Sequence, residues 1–137
     1  MIVIDASALI KYLLHEEGWE EVSWYLKEQR PLRTLDLALK EAANALWKHC
    51  CLRRFIEPFI VKEILQRLKR LVEVGVILIE NESEYFDASL EISLHNSLTV
   101  YDSLYVAQAL KYGELLTSDE RQAKVAENLE LKVYYVK

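Results

Sequence analysis

Proline and glycine are scarce in this 137-residue chain, two of the first and three of the second, and no repeat or low-complexity tract interrupts it. Linkers between domains are rich in such residues, so their scarcity predicts one continuous domain over residues 1–137. Cysteine is equally sparse: Cys50 and Cys51 are the only pair, and they are adjacent. Neighbouring cysteines make strained disulfides and lack zinc-site spacing, so both are expected to be packing residues of a helix. No apolar run approaches the roughly 18 residues that would mark a membrane span. The opening MIVIDAS has no basic leader and meets an acid at once, unlike a signal peptide. These absences predict a cytoplasmic protein with no membrane partner. The histidines, His15, His49 and His95, lack metal-pair spacing, and no nucleophile–histidine–acid set is visible.

Positive charge is also in short supply. The formal net charge is −5, which argues against a nucleic-acid partner for the chain as a whole. The cations are concentrated, however. Residues 48–70 carry Lys48, Arg53, Arg54, Lys62, Arg67, Lys69 and Arg70 against Glu57 and Glu63. Such a stretch reads either as a solvated helical face or as a surface that tracks a phosphate backbone beside an acidic site.

What is abundant is apolar residues in short blocks, 52% of the chain. Ile2–Ile4 reads as a strand covered on both faces. Helices are expected over Ser7–Leu14 and Trp19–Glu28, then a short strand within Pro31–Leu35. Asp36 is placed to cap a long helix running to about Arg53. Pro58 opens a second long helix to Val74, where Gly75 stops it. A strand over Val76–Ile79, helices over Glu82–His95 and Tyr101–Tyr112, a strand over Leu115–Thr117, a helix over Glu120–Glu127 and a strand over Lys132–Val136 complete the chain. Alternating strands and helices predict an α/β fold, a mainly parallel sheet of four to five strands between helical layers.

Four acids lie in or beside these apolar segments: Asp5 after MIVI, Glu41 within LALKEAANAL, Asp102 within VYDSLYVAQAL and Asp119 after ELLTS. An acid near a buried core costs several kcal/mol, on the order of a full hydrogen-bond network, unless something neutralises it. Three of them have a local structural reading. Asp5 suits a helix cap, Asp102 closes a capping box with Thr99, and Asp119 is a first-turn acid in the box Thr117–Glu120. Glu41, inside its helix, has none. Its neighbour one turn on is Asn44, on the same face. In parallel sheets ligands gather beyond the carboxyl ends of the strands, where Asp5 and Asp119 fall. Carboxylates without accompanying His or Cys favour Mg²⁺ or Mn²⁺ over zinc. Such a cation activates water and steadies a phosphodiester's leaving oxygen. Ser7 and Thr117, each two residues from an acid, are candidates to support it.

The segments VIDASALIKYLL, LALKEAANALWK, LTVYDSLYVAQALKYG and LLTSDERQAKVA, in that order, resemble those of PIN-domain nucleases, most closely the VapC-type toxins of toxin–antitoxin pairs. The resemblance implies an α/β/α sandwich with strand order near 3-2-1-4-5. It also implies Mg²⁺- or Mn²⁺-dependent endoribonuclease activity, a homodimer, and inhibition by a small antitoxin. By motif, Asp5, Glu41 and Asp102 match metal-binding acids, and Asp119 the fourth acid that binds metal or orients water. Ser7, Asn44 and Thr117 match polar companions. Lys48, Arg53 and Arg54 are the candidates for RNA contact. Two other readings stay open: a PIN-like domain that binds RNA or protein without cutting, and a housekeeping RNA-processing nuclease. A phosphoryl-accepting receiver domain is disfavoured, since the first strand ends in a single Asp and no partnering Lys follows a later strand.

Overall fold

The structure, a computed structural model, describes residues 1–137. Ile2–Ile4 (β1) is a strand with every side chain buried. It runs directly into Ala6–Leu13 (α1), capped by the Asp5 carboxylate, which accepts from the Ala8 N–H at 3.0 Å. Trp19–Glu28 (α2), Leu32–Leu35 (β2), Leu37–Trp47 (α3), Pro58–Glu73 (α4) and Ile77–Glu80 (β3) follow. Phe86–Asn96 (α5), Val100–Tyr112 (α6), Glu114–Thr117 (β4), Glu120–Asn128 (α7) and Lys132–Tyr135 (β5) complete the fold. Gly75 and Gly113, at φ 79° and 95°, follow α4 and α6 in the left-handed region where glycine is favoured.

The five strands are all parallel, in the order β3-β2-β1-β4-β5. The chain steps outward from β1 to β2 and β3, then returns past β1 to add β4 and β5 on the other side. Right-handed crossovers in opposite directions place helices on opposite faces. Thus α1 to α4 cover one face and α5 to α7 the other, giving the expected α/β/α layers. The direction changes between β1 and β4, and that switch point opens a crevice at the carboxyl ends of both. A continuous apolar core joins sheet and helices. Its longest enclosed run lies in α6, buried at every position from Ser103 to Ala109. No helix is long and apolar enough to cross a membrane.

Two local expectations are corrected. The helix from Asp36 does not run as α-helix to Arg53: α3 ends at Trp47, and Lys48–Leu52 is a π-helical turn closed by the Arg53 N–H on the Lys48 carbonyl at 3.0 Å. None of its residues is buried, so the looser winding is not locked into the core. Cys50 and Cys51 are therefore not packing residues; both are free, Cys50 half-buried and Cys51 exposed. The second correction is smaller. The helix expected from Glu82 opens as a 3-10 turn, Glu82–Tyr85, before α5.

Candidate active site

Asp5 follows β1 one step beyond the Ile4–Leu116 register pair, which sets Thr117 beside it. Thr117 Oγ1 donates to Asp5 Oδ2 at 2.5 Å. The Ser7 hydroxyl donates into the same carboxylate, 2.8 and 2.9 Å from its two oxygens. Both hydroxyls are held in turn by backbone: the Ser118 N–H donates to Ser7 Oγ at 2.9 Å and the Asp119 N–H to Thr117 Oγ1 at 3.0 Å. Burial still outweighs these donors. Asp5 is 1% exposed, and desolvation pushes its pKa from 3.8 up to about 7, against Thr117, Ala8 and Ser7 and with help from the Asp102 charge. A buried carboxyl half-protonated near neutral pH is a group that a nearby cation would return to its ionised form.

Glu41 lies one turn inside α3, half-buried, and receives a hydrogen bond from Tyr105 Oη of α6 at 2.6 Å. That bond links the two helical layers over the carboxyl edge of the sheet. Burial raises the Glu41 pKa, opposed by Tyr105 and reinforced by the charges of Asp102 and Glu82. Asp102, in the first turn of α6, is raised by burial and then by the Asp119 charge. Asp119 caps α7, its Oδ1 accepting from the Gln122 N–H at 2.9 Å. These repulsions place Asp102 among the other three acids. The strand order arranges the rest: Glu41 on the helix after β2, Asp5 after β1, Asp119 after β4.

The capping boxes are only partly formed. The Thr99 hydroxyl accepts from the Asp102 N–H at 3.2 Å, one half of a box. Thr117 belongs to β4 and is no cap at all; Asp119 takes that role itself. The structure thus turns Thr117 from a local partner of α7 into a cross-strand partner of Asp5.

A cleft of about 350 Å³ opens beside Glu41, lined also by Ile10, Glu16, Asn44, Ala45, Lys48, His49 and Arg53. Asn44 shares the cleft with Glu41 without a hydrogen bond to it. On an α-helix, residues five apart point about 140° away from each other. The π-helical closure stacks them instead, which brings Lys48 and Arg53 to the same wall. Arg54 leaves in the left-handed region, φ 56°, and faces another hollow with Cys50, Phe55 and Ile56. Lys62 and Arg67 line a third, on α4. The basic stretch is therefore divided, and only Lys48 and Arg53 face the acid row.

Sequence reasoning missed three supporting side chains. Tyr105 is one turn from Asp102 on the same helical face, a spacing that could have flagged it. The buried Gln122 donates through Nε2 to the Asp102 carbonyl at 3.2 Å, tying α7 to α6; a polar residue in an apolar stripe was its only signal. Glu80, at the end of β3, accepts from Tyr85, Gln108 and Tyr112 at 2.7, 2.9 and 2.7 Å. Burial would raise its pKa, but those donors and Lys111 hold it below the ordinary carboxylate range. This hub fixes α6 against β3, and so fixes the helix that carries Asp102.

No three acids close on one point tightly enough to enclose a bare ion. The donors are carboxylate and hydroxyl oxygens, several of them charge-frustrated. Magnesium takes one or two carboxylates and keeps several waters. A hydrated hard cation fits this arrangement, whereas an ion with four protein ligands, as in structural zinc sites, does not.

Fold and site together define a three-layer parallel α/β protein with a row of acids at its topological switch. The sequence matches the PIN domain family over residues 2–128. It is 34% identical over 127 residues to Ribonuclease VapC3 of Pyrobaculum aerophilum, covering 90% of this chain and 92% of that protein. It is 29% identical over 120 residues to Exonuclease VapC9 of the same organism, covering 88% and 80%. The crystal structure of PAE2754 from Pyrobaculum aerophilum superposes with a TM-score of 0.71 at 24% identity, over 96% of this chain and 81% of that one, and shares the fold. The chain belongs to the PIN domain family, and within it to the VapC type.

Proposed function

We propose that this chain, acting as one domain over residues 1–137, is an endoribonuclease that hydrolyses RNA phosphodiester bonds with Mg²⁺ or Mn²⁺. In this reading it is the toxin of a VapBC-type pair, a cytoplasmic homodimer restrained by a small antitoxin. The observation that carries it is Asp5, a fully enclosed carboxyl at the switch point with a pKa near 7, repelled by Asp102, which in turn repels Glu41 and is repelled by Asp119. Structural caps do not need that crowding. A site that receives a cation does.

Asp5, Glu41 and Asp102 are the residues that would hold the cation, which when bound supplies a lowered water pKa and stabilises charge on the leaving oxygen. Ser7 and Thr117 keep the Asp5 carboxylate in one orientation, and Tyr105 does the same for Glu41. Asp119 spends Oδ1 on its helix cap and has Oδ2 free to orient the attacking water. Lys48 and Arg53 offer unpaired positive charge to the flanking phosphates; neither makes an ion pair within the protein.

The test is cleavage of a mixed RNA pool by wild type and Asp5→Asn, with Mg²⁺, with Mn²⁺ and with EDTA. Cation-dependent cleavage by wild type, reduced on the order of a thousand-fold in the variant, is expected. Equal cleavage by both proteins would sink the assignment. Growth arrest on expression, relieved by the same substitution, tests the toxin role separately.

A further inference from the structure

We propose that the recess on the β5 side of the acid row is a second RNA subsite, which grips a single strand on the opposite side of the scissile phosphate from Lys48 and Arg53. The subsite rests on the ribonuclease reading above, since its ligand is the same RNA. The recess, about 570 Å³, is lined by Ser118, Asp119, Glu120, Arg121, Lys124 and Tyr135. Asp119 belongs to both the acid row and this recess, so the two are continuous.

Its chemistry suits a phosphate backbone with an unstacked base. Arg121 and Lys124 lie one turn apart on α7, exposed, and neither makes an ion pair. Burial of Gln122, Ala123, Val125 and Ala126 fixes which face of the helix meets solvent, and both cations are on it. The recess sets these two cations against Asp119 and Glu120, a formal balance of zero in a chain of net charge −5, and neither acid pairs with them. Tyr135, at the end of β5, is 41% exposed and stacks on no other ring. Exposed aromatics beside a basic groove are the platforms on which single-stranded bases stack. The Ser118 hydroxyl is enclosed and has no hydrogen-bond partner, a polar atom left for a ligand.

The sheet supplies the spacing. The carboxyl ends of β2, which leads into the helix of Glu41, and of β5, which ends in Tyr135, are three strand intervals apart in the order β2-β1-β4-β5, roughly 14 Å. No single phosphate spans that distance. A strand held at both walls crosses Asp5 and Asp102 with its interior, which is the geometry of an internal cut. An acidic protein segment is the competing occupant; it would pair with Arg121 and Lys124 but has no base to stack on Tyr135.

The experiment is steady-state cleavage of a short single-stranded RNA over a range of salt concentrations, by wild type, by Arg121→Gln/Lys124→Gln, and by Tyr135→Ala and Tyr135→Phe. Melting temperatures verify that each variant is folded. For the double variant, the loss should fall on KM more than on kcat, and the log–log salt slope of kcat/KM should flatten by up to about 1.4, the value for two phosphate contacts on a single strand. Tyr135→Ala should raise KM about five- to 100-fold, the worth of one stacked base, and Tyr135→Phe should restore it. Folded variants with unchanged KM and salt slope would overturn the subsite and leave the ribonuclease reading standing. Unchanged KM with loss of binding to a protein partner would also overturn it and assign the recess to that partner. A wild type that cleaves no RNA would overturn both.

Discussion

Asp5 is sealed between β1 and β4, where the first turn of α1 and the neighbouring strand supply every donor to its carboxylate. Glu41, on the other side of the row, is half-buried and held by one phenol from 64 residues away. The first arrangement is set by strand register, which cannot shift without breaking the sheet. The second depends on how α6 packs, and it leaves one side of the carboxylate open to the cleft. One site thus has a fixed corner and an adjustable one, and the two should respond differently to the same chemical insult.

The largest contrast is expected at Asp5, in chelated protein. Its folded pKa is raised from 3.8 to about 7, so its contribution to stability is present in full below about pH 4 and is lost as pH rises through 7. At about 1.4 kcal/mol per unit, the shift corresponds to roughly 4 kcal/mol. Asp5→Asn should therefore flatten the fall of melting temperature between about pH 4 and pH 8. Parallel curves for the two proteins would mean that burial does not protonate Asp5. Next comes Thr117→Val, which removes a donor to the same carboxylate. A cost of about 1.5–3 kcal/mol is expected at pH above 7, shrinking in acid as Asp5 gains its proton. A pH-independent cost measured by denaturant titration would reduce Thr117 to a packing residue.

The adjustable corner should show its weakness in activity more than in folding. Tyr105→Phe frees Glu41, and cleavage should need more cation, with about 10–100-fold lower activity at limiting cation. Recovery at saturating cation separates this positioning role from general damage. The smallest effect belongs to the cleft wall. Lys48→Gln with Arg53→Gln should raise KM and flatten the salt slope by up to about 1.4. Arg54→Gln, which faces another hollow, should leave that slope nearly as it was. An equal effect at Arg54 would show that the division of the basic stretch does not persist in solution.

The elements readable from sequence were those whose cause is local. Ile2–Ile4 is apolar throughout because both faces of β1 are covered, and Gly75 and Gly113 stop helices as glycine does. The four acids stood out because each is a charge in an apolar setting. What escaped depended on distance or on fine helical geometry. Thr117 resembled a cap until the β1–β4 register set it against Asp5. Tyr105 carries no such signal, because a tyrosine in an apolar stripe does not announce where its hydroxyl points. The π-helical turn has no propensity signature, so Arg54 was grouped with Arg53 although one residue of winding sends them apart. Arg121 and Lys124 stand apart from the dense basic stretch of the chain, and only the placement of β4 beside β1 brings them next to the acid row.

The enclosure of α6 bears on how such a protein is switched off. The middle of α6, Ser103–Ala109, has no face toward solvent and is pinned through Gln108 to the Thr34 carbonyl and to Glu80, so the helix cannot be swung aside without opening the core. Asp102 is therefore not a part that a regulator can retract. A regulator of the kind proposed above would therefore act from outside, seated over the acid row. Release then requires only that the regulator leave, with no refolding of the machinery beneath.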